Sequence, residues 1–385
     1  MEFIDLKRQR ARLEPELSQR IESVLTHQSF IQGLEVAELE AALGAFCGAA
    51  HVVTCANGTD ALQVALMALE IGPGDAVFVP SFTYTATAEA ILLLGATPVF
   101  VEVDEASFNI DLAAAEVEIA AVATEGVLRP AAMITVDLFG APVDGATATA
   151  LCRRHGLQHI SDAAQSFGGR LDGRRVGTLA DITTTSFFPA KPLGCYGDGG
   201  ALFTGDAELA GRMRSICQHG KGAAKYDVVR VGLNSRLDTL QAAILLPKLA
   251  IFEDEIERRH AVAEAYAERL AGHLRTPLAP ARADDRSAWA QYTVQIEDGR
   301  DAAQARLKAA GVPSAVYYPR PMHRQPAYAH LARGPLPVSD ALCERVLSLP
   351  MHPYLTEAEI DQVCAALTGG APATASTSRS LETAA

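Results

Sequence analysis

Lys191 stands just past an apolar strand-like run, in the segment Thr185–Gly200, TSFFPAKPLGCYGDGG. A lysine at a strand end, off any solvated helix face, is open to desolvation, which lowers the amine pKa and makes it a Schiff-base nucleophile. Taken alone it reads more readily as an ordinary surface lysine. The glycines Gly194, Gly197, Gly199 and Gly200 lack the GxGxxG order at a strand-to-helix turn, so a dinucleotide loop is a weak reading. Asp162 opens a second segment, SDAAQSFGG, close behind the strand-like run Gln158–Ile160. A buried carboxylate there could pair with a protonated pyridine nitrogen. A helix N-cap is an equal reading of the same residue. Gln165, three residues on, could face the same pocket and reach a ring hydroxyl.

Asn57, Gly58 and Thr59 in CANGTDAL sit where a strand meets a strongly periodic helix. Backbone N–H groups at a helix start, with a hydroxyl and a glycine that permits close approach, make a site for an anion such as phosphate. A plain capped helix would look the same. Tyr84, in PSFTYTA after another strand, could stack on a flat cofactor, although an aromatic at a strand end is more often core. Each signal is moderate by itself. Together they supply a phosphate cradle, a stacking ring, an acid for a ring nitrogen and an amine, the parts that one pyridoxal-5′-phosphate (PLP) site requires.

The elements that must position these residues alternate. Strand-like runs at His51–Cys55, Ala76–Val79, Thr97–Val101, Ala131–Val136, Gln158–Ile160 and Thr183–Phe187 are separated by helical patterns, among them Asp60–Leu69, Ala86–Leu94 and Ala146–His155. Such alternation predicts a mostly parallel sheet flanked by helices, with ligands outside the C-terminal strand ends. Two further helical patterns precede it, at 13–26 and 34–46. From Leu237 to about Leu270 the spacing predicts one long helix joining a large domain, residues 1–249, to a smaller C-terminal α+β domain, 250–368. The tail 369–385 is small and polar and reads as disordered.

With 49% hydrophobic residues, the 385-residue chain can bury two cores. Its 33 basic and 46 acidic residues give a net charge of -13, which argues against binding nucleic acid or an anionic membrane. Seven scattered cysteines form no CxxC, so no zinc site or redox motif is expected, and their odd number fits reduced thiols. There is no secretory signal and no apolar run of about 18 residues. A cytoplasmic protein is expected.

The motifs as a set resemble the DegT/DnrJ/EryC1/StrS family of sugar aminotransferases. The matching stretches include FIDLKRQRARL, SFIQGLEVAELE, CANGTDALQVAL, PSFTYTATAEAI, SDAAQSFGG, SFFPAKPLGCYGDGGA, VGLNSRLDTLQAAIL, GVPSAVYYPRPMH and LSLPMHPYL, from residue 2 to about 368. The resemblance implies the type I PLP-dependent transferase (aspartate aminotransferase) fold. It implies Lys191 as the Schiff-base lysine and general acid–base, Asp162 at the pyridinium nitrogen and Gln165 at the ring hydroxyl. Gly58, Thr59 and Ser186 would hold the phosphate, joined by Asn234 from a partner subunit in a homodimer with shared sites. Some family members carry histidine at the lysine position and act as dehydratases, and Lys191 argues against that chemistry.

SFFPAKPLGCYGDGG with NSRLDTLQAAILLPKL is similar to the subgroup that aminates C3 of UDP-2-acetamido-2-deoxy-ribo-hexuluronic acid, with glutamate as donor, in lipopolysaccharide O-antigen synthesis. Arg236 is the first candidate for a carboxylate contact, since guanidinium binds carboxylate bidentately, though it could equally pair with Asp238 at the next helix. Tyr317, Tyr318, Arg320 and His323, in YYPRPMH, are further substrate candidates, and Tyr317 stands where the family often has histidine. Two rivals remain at this stage, a 4-aminotransferase of a nucleotide-linked 4-keto-6-deoxy sugar and a non-catalytic regulator on the same fold.

Overall fold

A computed structural model describes residues 1–224 and 226–369. The predicted tail therefore lies, past Gly369, outside the described residues. The central strands are β1 (His51–Cys55), β2 (Asp75–Pro80), β3 (Thr97–Val101), β4 (Arg129–Val136), β5 (Gln158–Asp162), β6 (Ile182–Ser186) and β7 (Gly200–Thr204). They form one sheet in the order β1-β7-β6-β5-β4-β2-β3. Neighbours β3, β2, β4, β5 and β6 run parallel, and only β7 is antiparallel to both of its partners. All six strand-like runs of the sequence are strands, and the short β7 is an addition to them. A sheet covered on both faces needs strands that are apolar on both, and β2 and β7 are buried along their whole length.

Helices cover the two faces. Gly58–Ala68, Ala86–Leu93 and Ala207–Ile216 contribute to one apolar cluster with Val77, Ile134, Ile160 and Leu202. On the other face, Leu112–Glu125 and Gly145–Arg154 pack over Phe78, Val99 and Met133, while Leu34–Cys47 and Thr239–Ala250 pack over Phe203. The parallel strands all finish on the same edge, so the residues following Cys55, Pro80, Val136, Asp162 and Ser186 converge there.

The helix expected from Leu237 to Leu270 is two helices, Thr239–Ala250 and Phe252–Leu270, broken at Ile251 with φ -102° and ψ 0°. The first helix continues past its internal Pro247 and tightens at its end, where the Ile251 N–H bonds Lys248 O at 3.3 Å, and Glu253, Asp254 and Glu255 suit the first turn of a new helix. Beyond the break, β8 (Tyr292–Gln295) and β9 (Val346–Leu349) pair antiparallel. With Phe252–Leu270, Arg300–Ala309 and Glu357–Thr368 they enclose a separate core around Tyr266, Tyr292, Leu307, Leu347 and Val363. All seven cysteines are free and buried. Among the described residues no helix is long and apolar enough to cross a membrane.

Candidate active site

Asp162 is the last residue of β5 and only 7% exposed. Its Oδ1 accepts the Ala164 N–H at 3.1 Å and its Oδ2 the Thr87 hydroxyl at 3.1 Å. Burial pushes its pKa up, against the pull of the Ala164 N–H, the nearby Lys191 charge and Thr87. Lys191 follows β6, its N–H held by Phe188 O at 2.8 Å. Burial pushes its amine down, opposed by the Asp162 charge. Asp162 is buried and Lys191 half-buried, and burial works against the charged form of each. An amine so placed favours the neutral, nucleophilic form. A carboxylate so placed is best satisfied by a cation brought to it.

The start of the helix Gly58–Ala68 abuts the end of β6. A Cβ on Gly58 would stand 2.7 Å from Ser186 Cβ and 3.2 Å from its Oγ, so only glycine allows this approach. Asn57 caps the helix, its side chain taking the Asp60 N–H at 2.8 Å and its carbonyl the Ala61 N–H at 3.1 Å. The N–H groups of Gly58 and Thr59 precede those captured donors and have no partner within the helix. With the Ser186 hydroxyl beside them, they make an anion cradle at the positive end of a helix.

Gln165 is buried, and its Oε1 accepts the Phe139 N–H at 2.8 Å. Because that partner can only donate, the amide orientation is fixed, and Nε2 is turned toward the Tyr318 hydroxyl, 3.4 Å away. Phe139 has φ +61°, an uncommon conformation for a bulky residue, and it aims the N–H. Behind this corner, Asp137 accepts from Ser166 Oγ at 2.6 Å and Val143 N–H at 2.9 Å. Burial raises its pKa to about 7. Tyr84 is 57% exposed, its ring 6.2 Å from that of Tyr318. It is an open face, and the core reading of this residue does not hold.

The structure thus gathers Asp162, Lys191, Gln165 and Tyr318, and sets Gly58 against Ser186. Tyr317 packs its ring 5.7 Å from Tyr318, and burial pushes the hydroxyl pKa of both tyrosines up. Arg320 is exposed. His323 differs from the other candidates. It is 3% exposed, its Nδ1 lies 2.7 Å from Ser81 Oγ and its Nε2 3.4 Å from Asp340, so it pins its loop to the end of β2. Asn234 is exposed, and Arg236 donates to its Oδ1 at 2.6 Å. The alternative pairing of Arg236 with Asp238 is absent among the described contacts. Ser235, between them, is buried and accepts the Ala56 N–H at 3.2 Å, which anchors this segment beside the phosphate loop.

Two contributors escaped the sequence reading. Thr87, inside the apolar helix Ala86–Leu93, looks like any helix threonine until the fold sets it against Asp162. Phe139 acts through its backbone, which no side-chain pattern shows.

A sequence profile of the DegT/DnrJ/EryC1/StrS aminotransferase family matches residues 11–368. The chain belongs to this family. The UDP-2-acetamido-2-deoxy-3-oxo-D-glucuronate aminotransferase of Pseudomonas aeruginosa is 50% identical over 96% of this chain and 99% of its own. The UDP-N-acetyl-3-dehydro-alpha-D-glucosamine 3-aminotransferase of Acidithiobacillus ferrooxidans is 44% identical over 94% of this chain and 95% of its own. A DegT/DnrJ/EryC1/StrS aminotransferase from Brucella abortus, solved by crystallography, superposes with a TM-score of 0.93 at 53% identity, covering 96% of this chain and 99% of that one. As a member of this family the protein is an aminotransferase with the expected α/β fold.

Proposed function

We propose that this aminotransferase uses PLP to transfer the amino group of glutamate to C3 of UDP-2-acetamido-2-deoxy-3-oxo-glucuronate, giving UDP-2-acetamido-3-amino-2,3-dideoxy-glucuronate and 2-oxoglutarate for lipopolysaccharide O-antigen synthesis. The observation that carries the reading is the buried Asp162 with the half-buried Lys191, beside a cradle closed by Gly58 and Ser186, in a chain half identical to a relative named for that keto-sugar. A cofactor with a basic ring nitrogen, an aldehyde and a phosphate fits those groups. The nitrogen brings the cation that the buried Asp162 lacks, and the phosphate answers the N–H groups of Gly58 and Thr59 and the Ser186 hydroxyl.

Bound there, PLP supplies an electron sink and a carrier for the amino group. Asp162 keeps the ring nitrogen protonated. Gln165 Nε2, with its oxygen occupied by Phe139, is the donor available to the ring hydroxyl. Tyr84 offers its exposed face for stacking. Lys191 Nζ, its pKa lowered by burial, is the base that would take the proton from Cα of glutamate and return one to the sugar carbon. Arg236 is the first cation for the uronate carboxylate, followed by Arg320, with hydroxyls from Tyr317 and Tyr318. Asn234 of the partner subunit completes the phosphate site in a homodimer, and its exposure here supports that assignment. Residues 1–249 form the cofactor domain and 250–368 the smaller one. A panel of UDP-linked 3-keto-uronate, UDP-linked 3-keto-hexose and nucleotide-linked 4-keto-6-deoxy sugar, offered with glutamate, tests the reading. The uronate should turn over fastest, and preference for the 4-keto sugar would refute it.

A further inference from the structure

The loop that carries Lys191 is folded tightly on itself. Cys195 N–H donates to Phe187 O at 2.7 Å, and the Gly194 backbone lies so close to the Phe188–Pro189 turn that a Cβ there would meet Pro189 O at 2.6 Å. Whatever holds Gly194 therefore holds the turn from which Lys191 projects. The helix Thr239–Ala250 grips this loop at two points. Gln241 Oε1 accepts the Tyr196 N–H at 2.9 Å. Lys248 Nζ donates to Gly194 O at 2.6 Å and lies 4.1 Å from the centre of the Tyr196 ring. Residues seven apart share one helix face, so a single face makes both contacts.

Lys248 is 1% exposed, and lysine is almost never so buried without a partner. Glu255, the carboxylate whose charge acts on Lys248, is already engaged by Gln9 Nε2 at 3.0 Å and by the Tyr354 hydroxyl. The ammonium is thus committed to the Gly194 carbonyl and the Tyr196 face, a charge-assisted bond and a desolvated cation–π contact. Burial brings its pKa down to about 8, and a contact that served packing alone would be made at less cost by leucine or methionine.

We propose that Lys248 is a positioning residue for Lys191, fixing through Gly194 and Tyr196 where the Lys191 amine stands relative to Asp162. The assignment rests on Lys191 as the cofactor lysine. Lys248→Met keeps the length and removes the charge, and Lys248→Arg keeps a cation. In the holoenzyme, the visible band of the bound cofactor is titrated with pH, and the glutamate half-reaction is followed at saturation. Lys248→Met should move the titration midpoint by about half a pH unit or more. It should slow the saturated half-reaction roughly tenfold while half-saturation by glutamate stays within about twofold, the signature of a misplaced reacting group. Lys248→Arg should recover part of both changes. A lowered melting temperature with an unmoved midpoint and saturated rate would make Lys248 a scaffold residue and overturn the proposal. Should Lys248→Met not fold, Gln241→Leu releases the other grip and must move the same two readouts, or the proposal falls. A wild-type enzyme with no visible band would instead overturn the cofactor reading, and this assignment with it.

Discussion

Replacing Gly58 with alanine places a methyl group 2.7 Å from Ser186 Cβ. Unstrained carbon contacts lie at about 3.5–4.0 Å, so the helix start and the end of β6 must separate by roughly 1 Å. Overpacking of this kind costs about 1–3 kcal/mol of stability. The larger effect is on the cradle. A movement of about 1 Å carries an N–H···O contact from about 2.9 Å beyond hydrogen-bond range. Each charge-assisted bond to a phosphate is worth about 1.5–3 kcal/mol. Losing one or two of them weakens the cofactor at least about tenfold, since 1.4 kcal/mol is a factor of ten. The assay is a titration of the apoprotein with PLP followed by visible absorbance, beside a melting curve. Gly211→Ala is the matched control. Gly211 lies within the helix Ala207–Ile216, with nothing within 4 Å of an added Cβ. There the same methyl should stabilise by about 0.5–1 kcal/mol and leave PLP affinity alone. Wild-type affinity in Gly58→Ala would refute the cradle.

Borohydride reduction followed by peptide mapping should place the pyridoxyl group on Lys191, and a label on Lys221 instead would remove Lys191 from its role. Mixing inactive Lys191→Ala and Asn234→Ala subunits should restore activity, because one site of each hybrid dimer keeps both residues; proven exchange without rescue would show that sites are not shared. Arg236→Ala should cost on the order of 2–5 kcal/mol in uronate binding and much less with a matched neutral hydroxymethyl sugar, and unchanged uronate half-reactions in Arg236→Ala and Arg320→Ala would disprove the carboxylate site. His352 is 1% exposed, and burial lowers its pKa to about 4. An unfolded histidine takes its proton near pH 6.5, so below that pH the unfolded chain binds more protons and stability falls as pH drops to about 4. His352→Asn should flatten this acid limb by about 3 kcal/mol, read as the difference between the two stability curves, and parallel curves would refute a neutral buried imidazole.

The residues proposed for the site stand out in the sequence because they break local rules. Asp162 and Lys191 are charged residues at the ends of apolar runs, and Gly58 follows a helix cap. Parallel strands were legible as continuous apolar runs. β7 was not, because its short apolar stretch follows a glycine-rich loop and its pairing with β1 and β6 is set by tertiary structure. The break at Ile251 was hidden because Thr239–Ala250 and Phe252–Leu270 both bury apolar faces, so the periodicity runs on through it. His323 illustrates the limit of motif reading, since chain order put it in a substrate loop and packing turned its ring toward Ser81 and Asp340. The role proposed for Asn234 depends on a second chain, which no single sequence can show.

The place of β1 at the sheet edge has a consequence for biosynthesis. His51 pairs with Thr204 and Cys55 with Gly200, and among the described residues β1 has no other neighbour in the sheet. As the chain leaves the ribosome, β1 and the phosphate loop after it wait without a ladder partner until β7 has emerged. Closing so long a loop is entropically slow, and an unpaired strand edge is a hazard in the interval. The cradle between Gly58 and Ser186 thus exists only once this sheet is complete. The proposed cofactor would stabilise the finished domain by mass action, and a nascent chain stalled before β6 lacks Ser186 and with it one wall of the cradle.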